Sequence, residues 1–229
     1  MPKFISAMRL TFTEENYLKA IYKLREQSDT RISTNSIASL VATAPASVTD
    51  MLQKLAEKKL LNYERYQGVS LTPQGIKSAV SVIRKHRLWE LFLVEKLGFN
   101  WDEVHDIAEE LEHIQSESLV KKLYTFLGKP KWDPHGDPIP DEHGNFHLQK
   151  TFPLATALVK DKLVISGVVD HRTDFLQYLD KAGLSLGKKI TVKEITAYDS
   201  SMAINVLGTK SVKHISAEVA KNILVTIFK

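Results

Sequence analysis

The sequence holds no cysteine. Disulfides, thiolate metal sites and cysteine nucleophiles are therefore excluded, and any metal must be held by His, Asp, Glu, amide or carbonyl groups. Long apolar runs are missing as well. None approaches the roughly 20 residues that span a bilayer, and the opening MPKFISAMRLTF lacks the apolar core of a signal peptide. The expectation is a cytoplasmic protein with no membrane partner. Neither the P-loop pattern nor G-x-G-x-x-G occurs. The nearest approach to a zincin motif reads Glu109-Glu110-Leu111-Glu112-His113, which is neither HExxH nor HxxEH. Internal repeats and low-complexity tracts are absent too. No enzyme activity and no small-molecule substrate are expected.

What is present is unevenly spread. The 229 residues are 43% hydrophobic and 25% charged, ordinary values for a globular chain long enough for two or three small domains. Residues 1–72 carry a net charge of +3, residues 73–150 of −3 and residues 151–229 of +4. Six of the eight histidines, His86, His105, His113, His135, His143 and His147, lie in the acidic middle third. An acidic, histidine-rich segment between basic ones suits cation binding beside polyanion binding.

Periodicity supplies the organisation. Residues 11–27 form an amphipathic helix through Tyr17, Leu18, Ile21, Tyr22 and Leu24, with Thr13 as its expected N-cap. A short helix follows Ser33. A break at Thr43-Ala44-Pro45 then opens PASVTDMLQKLAEKK, with Pro45 in the first turn. Two strand-like pieces flank Gln67-Gly68. Helix, helix, turn, helix and hairpin in about 60 residues read as a winged helix-turn-helix. A long helix runs from near Pro73 to about Leu97, and one or two more lie between Asp102 and Leu127. The segment 129–150 is a Pro/Gly-rich loop. KLVISGVV, KKITVKEI, MAINVL and NILVTIF with a helix at Thr173–Ala182 suggest a small barrel. The predicted fold is mainly α with a small β domain: a winged helix-turn-helix over 1–72, a helical dimerisation and metal-binding domain over 73–150, and an SH3-like β-barrel over 151–229.

The densest chemical signal is VHDIAEELEHIQ. On one continuous helix, His105, Glu109, Glu112 and His113 fall at i, i+4, i+7 and i+8, within about a third of the circumference. His86 and Glu90 repeat the i, i+4 spacing on the preceding helix. Two such helices can enclose a cation, as carboxylate–histidine sites in bundles do. The plain alternative is a solvated charged face.

These pieces together resemble the diphtheria-toxin-repressor and manganese-transport-regulator family. The resemblance rests on EENYLKAIYKL, ASVTDMLQKLAEKKLL, RKHRLWELFL, VHDIAEELEH, PHGDPIP and the C-terminal DFLQYLDKAGLSLGKKITV, and covers essentially the whole chain. It implies a primary regulatory site of Glu109, Glu112, His113 and Asn16. It implies an ancillary site of His86, Glu90 and His105, to which the SH3-like, FeoA-type domain adds His171 and Asp174. The sequence departs from the family in three places. Glu109 stands where iron-type members have cysteine, Asn16 stands where members have methionine or aspartate, and Lys19 replaces a further acidic ligand. Oxygen and nitrogen donors favour Mn²⁺ or Fe²⁺, with Zn²⁺, Co²⁺, Ni²⁺ or Cd²⁺ as substitutes in vitro.

The implied function is a metal-dependent repressor of metal-homeostasis genes, a homodimer binding double-stranded operator DNA with Mn²⁺ or Fe²⁺ as co-repressor. Ser47, Thr49, Asp50, Gln53 and Lys54 on the reading helix and Arg65 at the wing would face DNA, with Lys58 and Gln67 beside them. Two other readings remain open on the residues alone: a metal-independent winged-helix regulator of an organic ligand, and a metalloenzyme with a DNA-targeting domain.

Overall fold

The computed structural model describes residues 9–27, 32–64, 68–209 and 211–228. Arg65 and Gln67 lie outside these. The chain divides into two compact units, one built from residues 1–86, 111–116 and 140–145, the other from 87–110, 117–139 and 146–229. Among the described residues no helix is long and apolar enough to cross a membrane.

The first unit opens with α1 (Phe12–Gln27), α2 (Thr34–Leu40) and α3 (Pro45–Glu57), followed by the antiparallel hairpin β1 (Leu61–Glu64) and β2 (Gly68–Leu71). The cap of α1 is Thr11 rather than Thr13. The Glu14 amide donates to the Thr11 hydroxyl at 3.3 Å, and the Thr11 amide donates to the Glu14 carboxylate at 2.9 Å. This reciprocal pair is a capping box, which satisfies two amides that have no partner inside the helix. Ser33 caps α2 by accepting from the Ser36 amide, and Pro45 opens α3 where its missing N–H costs nothing. Leu18 and Ile21 of α1, Ile37 of α2, Val48, Leu52 and Leu55 of α3 and Val69 of β2 close one core. This is the winged helix-turn-helix that the sequence predicts.

A 25-residue helix, α4 (Pro73–Leu97), starts in the first unit and ends in the second. In the second unit α5 (Val104–Leu111) and α6 (Glu117–Phe126) follow, and Leu88 and Leu91 of α4 pack with Leu123 of α6 and Ile139. The C-terminal region is a six-stranded antiparallel sheet in the order β3-β8-β4-β5-β6-β7. Its strands are β3 (Phe152–Pro153), β4 (Lys162–Val168), β5 (Lys189–Ile195), β6 (Met202–Val206), β7 (Val212–Ile215) and β8 (Ile223–Ile227). Between β4 and β5 lies α7 (Thr173–Ala182), and between β7 and β8 the short α8 (Ala217–Lys221). Register shifts between Ile165 and Gly167 on β4 and between Val192 and Glu194 on β5 mark bulges that bend the sheet. Leu163, Ile165, Ile190, Val192, Ile204 and Val225 pack on Leu176 and Leu179 of α7. The sequence reading missed β3, β7 and α8, which are too short to show a period.

Candidate metal centre

Two buried ionic clusters stand out, one in each unit. In the first unit, α1 turns Glu15 and Lys19, one helical turn apart, inward. The Lys19 Nζ lies 2.5 Å from Glu112 Oε1, and His86 Nδ1 of α4 lies 2.7 Å from Glu112 Oε2. Glu112 itself is fully enclosed. His113 places Nδ1 2.6 Å from Glu15 Oε2 and Nε2 3.7 Å from Glu112 Oε1. Gln115 donates to Glu15 at 2.9 Å, Lys85 Nζ stands 3.6 Å from Glu15, and the Phe12 ring stacks on His113 at 4.6 Å. Burial would push the Glu112 carboxyl up, but His86 and Lys19 outweigh it and hold the group below its ordinary range. Burial pulls the Lys85 ammonium down, against the attraction of Glu15 and Glu112.

Two carboxylates, Glu15 and Glu112, thus face two ammonium groups, Lys19 and Lys85. The position closest to Glu112 is filled by a tethered cation, the Lys19 ammonium.

Sequence reasoning assigned Asn16 and Glu109 to this site. The structure leaves Asn16 exposed, since neighbours on a helix are about 100° apart and Glu15 and Lys19 take the inward face. Glu109 lies in the second unit, where its Oε1 is 3.6 Å from His105 Nε2. The shared face predicted for His105, Glu109, Glu112 and His113 required an unbroken helix. Instead α5 ends at Leu111, and a turn closed by the Ile114 amide on the Leu111 carbonyl carries Glu112 and His113 out of its frame.

In the second unit, Glu90 of α4 meets Asp133 and His135 of the loop after α6. One ligand atom from each lies within 4.8 Å of the others, and all three side chains are buried. His135 Nδ1 is 3.6 Å from Glu90 Oε2, and His105 Nδ1 is 3.4 Å from Glu90 Oε1. The loop is built to aim these groups. Asp133 Oδ1 accepts from the amides of His135 and Asp137, each at 2.9 Å, so Oδ2 is the oxygen left over. His135 Nε2 lies 2.8 Å from the Trp101 carbonyl. A carbonyl only accepts, so Nε2 carries the proton and Nδ1 is the nitrogen available to a ligand. Asp133 Oδ2 and His135 Nδ1 are both buried with no hydrogen-bond partner.

Charge in this pocket is not balanced. Arg87 donates to Asp137 at 2.9 Å and stands 3.7 Å from Asp133. One guanidinium therefore serves two aspartates, with Glu90 in addition. Burial, Asp137 and Glu90 push the Asp133 carboxyl up. Burial opposes a charge on His135, but Glu90 and Asp133 outweigh it and push the imidazole up to about 9. Near neutral pH this imidazole therefore also holds a proton on Nδ1, and a cation that binds there must displace it. The donor set of two carboxylate oxygens and an imidazole nitrogen fits a hard divalent ion such as Mn²⁺ or Fe²⁺.

His171 stacks on His135 at 4.6 Å, and burial lowers its affinity for a proton. Asp174, assigned beside it, is exposed and stands 3.8 Å from Arg172. Asp133 and His135 escaped sequence reasoning, although PHGDPIP was noted, because ligands were sought only at helical spacing. A further pattern was passed over: Gly183-Leu184-Ser185-Leu186-Gly187 reads G-x-S-x-G. Here it joins a helix to a strand, α7 to β5, whereas the nucleophile elbow joins a strand to a helix.

On the exposed face of α3 stand Ser47, Asp50, Gln53 and Lys54. Thr49 is half-buried and spends its hydroxyl on the Pro45 carbonyl at 3.1 Å. The Lys58 ammonium is engaged by Glu14 at 2.6 Å.

Comparison with known proteins gives a consistent picture. Residues 9–69 match the iron dependent repressor N-terminal DNA binding domain, residues 72–141 the iron dependent repressor metal binding and dimerisation domain, and residues 152–227 the FeoA domain. An uncharacterised HTH-type transcriptional regulator of Methanocaldococcus jannaschii is 36% identical over 117 residues, 51% of this chain and 94% of that protein. The iron-dependent repressor IdeR of Mycobacterium tuberculosis is 35% identical over 131 residues, but that match takes in only 57% of this chain and 56% of the repressor. Among solved structures, a manganese-dependent transcriptional repressor in complex with manganese superposes with a TM-score of 0.83 at 30% identity, covering 94% of this chain and all of that one. ScaR with bound Zn²⁺ gives 0.73 at 33% identity, over 94% and 99% of the two chains.

Proposed function

We propose, from the premise that the chain belongs to the iron-dependent repressor family, that it is a transcriptional repressor which binds operator DNA as a homodimer when a divalent cation is held by Glu90, Asp133 and His135. Mn²⁺ or Fe²⁺ is the physiological co-repressor, and Zn²⁺, Co²⁺, Ni²⁺ or Cd²⁺ substitute in vitro. The single observation that carries this reading is the buried pocket whose Asp133 Oδ2 and His135 Nδ1 lack hydrogen-bond partners. Buried polar atoms without partners are costly and uncommon in native structures. Here they converge with Glu90 as a ready donor set.

When bound, the ion supplies positive charge to an under-compensated anionic pocket. The chain's own groups do the rest. The Asp133 turn fixes the loop, the Trp101 carbonyl selects the His135 tautomer, and Arg87 holds Asp137 aside. DNA reading falls to the exposed residues of α3: Gln53 suits an adenine edge, and Ser47 and Lys54 suit phosphates. Metal acts as co-repressor because it binds the DNA-competent state better, and by linkage DNA must tighten metal binding by the same factor. The functional role is binding rather than catalysis.

The test is fluorescence anisotropy on a duplex enriched from a random library by the full chain in Mn²⁺. Affinity should fall at least tenfold on chelation and return on adding Mn²⁺. Equal affinity in both conditions overturns the reading.

A further inference from the structure

The first-unit cluster contains Glu112, His113 and His86, the groups that a metal site would use, yet its centre is held by the chain itself. We propose that the Lys19 ammonium is a permanent internal cation at Glu112, so that no divalent ion binds at Glu112 and the Glu90–Asp133–His135 pocket does the metal sensing. The inference rests on the reading of the second pocket as the metal site.

Three observations carry it. The first is geometric: Lys19 Nζ lies 2.5 Å from Glu112 Oε1, while His86 Nδ1 lies 2.7 Å from Oε2. Lys19 thus takes one carboxylate oxygen of a fully enclosed side chain, while Glu112 Oε2 lies close to His86 but makes no hydrogen bond. The second is charge. Lys19 and Lys85 balance Glu112 and Glu15 within the cluster, so a divalent ion would enter a buried space as excess positive charge beside two ammonium groups. The second pocket presents the reverse, two carboxylates and an imidazole with one nearby guanidinium, itself donating to Asp137. The third is anchoring. Lys19 sits on α1, one turn from Glu15, and the two side chains join α1 to the 111–116 segment through Glu112, His113 and Gln115. A divalent ion bridging the same groups would make the same join. In this chain the join is covalent at one end and present at every metal concentration.

The consequence is a sensor with one metal equivalent per chain and a non-cooperative metal response within each chain. The clusters respond differently to loss of an amine. In Lys19→Met the ammonium is removed at nearly constant length, leaving Glu112, His86 and His113 as an open donor set. Lys19→Glu adds a third carboxylate.

Equilibrium dialysis of the full-length, chelator-stripped protein against Mn²⁺, with free ion counted by electron paramagnetic resonance, reads the stoichiometry. Wild type should hold one equivalent, and Lys19→Met and Lys19→Glu two. An anomalous difference map of Mn²⁺-soaked wild-type crystals should show a peak at Glu90–Asp133–His135 and none at Glu112. Two equivalents in wild type with a peak at Glu112 overturn the inference while leaving the repressor reading intact. No second equivalent in either folded variant also overturns it. Zero equivalents in wild type and one in Lys19→Met support the internal cation and instead sink the reading of the second pocket. If neither variant keeps a cooperative melt, the wild-type map decides.

Discussion

Replacing Gly136 by alanine separates the pocket's scaffold from its ligands. Gly136 follows His135 in the loop, has φ of +89°, and packs so tightly on β4 that an added Cβ would sit 2.2 Å from the Ser166 carbonyl oxygen and 2.5 Å from the Gly167 Cα. Neither neighbour can rotate away, since both are backbone. The left-handed conformation costs an L-residue about 1–2 kcal/mol, and forcing a methyl into packed backbone costs about 1–3 kcal/mol more. The substitution should therefore destabilise the second unit by about 2–5 kcal/mol. Gly187 is the internal control. Its φ is +80°, and nothing lies within 4 Å of an added Cβ, so Gly187→Ala should incur only the dihedral cost, about 1–2 kcal/mol. Urea unfolding followed by tryptophan fluorescence measures both. Relief of the Gly136 clash must shift the loop, which the Val168 amide holds by donating to the His135 carbonyl at 3.0 Å. Mn²⁺ affinity should therefore fall at least tenfold in Gly136→Ala and stay unchanged in Gly187→Ala. Equal destabilisation by the two substitutions, or unaltered Mn²⁺ affinity in the first, refutes the reasoning.

Asp133→Asn keeps the Oδ1 that caps the loop but removes an anionic donor. At an effective dielectric near 20, a unit charge about 4 Å away is worth about 4 kcal/mol, so Mn²⁺ affinity measured by chelator competition should drop at least a hundredfold. Glu112→Ala strands Lys19 and His86 in a buried site, and breaking a buried ion pair from one side costs about 3–5 kcal/mol. Its thermal melt should fall accordingly, with or without metal. Gln53→Ala, on the exposed face of α3, should move stability by less than about 0.5 kcal/mol while weakening the selected duplex by about 1–3 kcal/mol in anisotropy.

Elements with strong punctuation were legible in the sequence. Pro73 and Gly98 bracket α4, and Gly183 in the left-handed conformation ends α7 where the pattern predicted. Unpunctuated ends were not. Nothing in VHDIAEELEHIQ announces that α5 stops at Leu111, and that stop divides four residues assigned to one face between two clusters. Asp133 and His135 escaped for a related reason. They converge with Glu90 through a turn and a carbonyl contact across more than 30 residues, and loops have no period to read. The sequence did flag Lys19, but only as a missing acid. That a basic side chain takes the place of an ion follows only once Glu112 is seen enclosed at 2.5 Å from it.

The two clusters use the same residue types to opposite effect, and this difference is measurable without DNA. A network whose charges are already matched has nothing to gain from an added cation. A pocket in which two carboxylates repel gains by the full differential affinity of its native form. A ligand that binds only the folded state stabilises it by about 2.7 kcal/mol at a concentration one hundred times its dissociation constant. Native-state hydrogen exchange should therefore show Mn²⁺ slowing the amides of His135, Asp137 and Val168, which bond to Asp133, Asp133 and His135 respectively, by up to about a hundredfold. The amides of α1 around Glu15 and Lys19 should show no comparable gain of their own. If α1 gained protection in parallel with the loop and Glu112→Gln abolished that gain, the ion would be acting at Glu112. The assignment of one cluster to structure and the other to sensing would then be reversed.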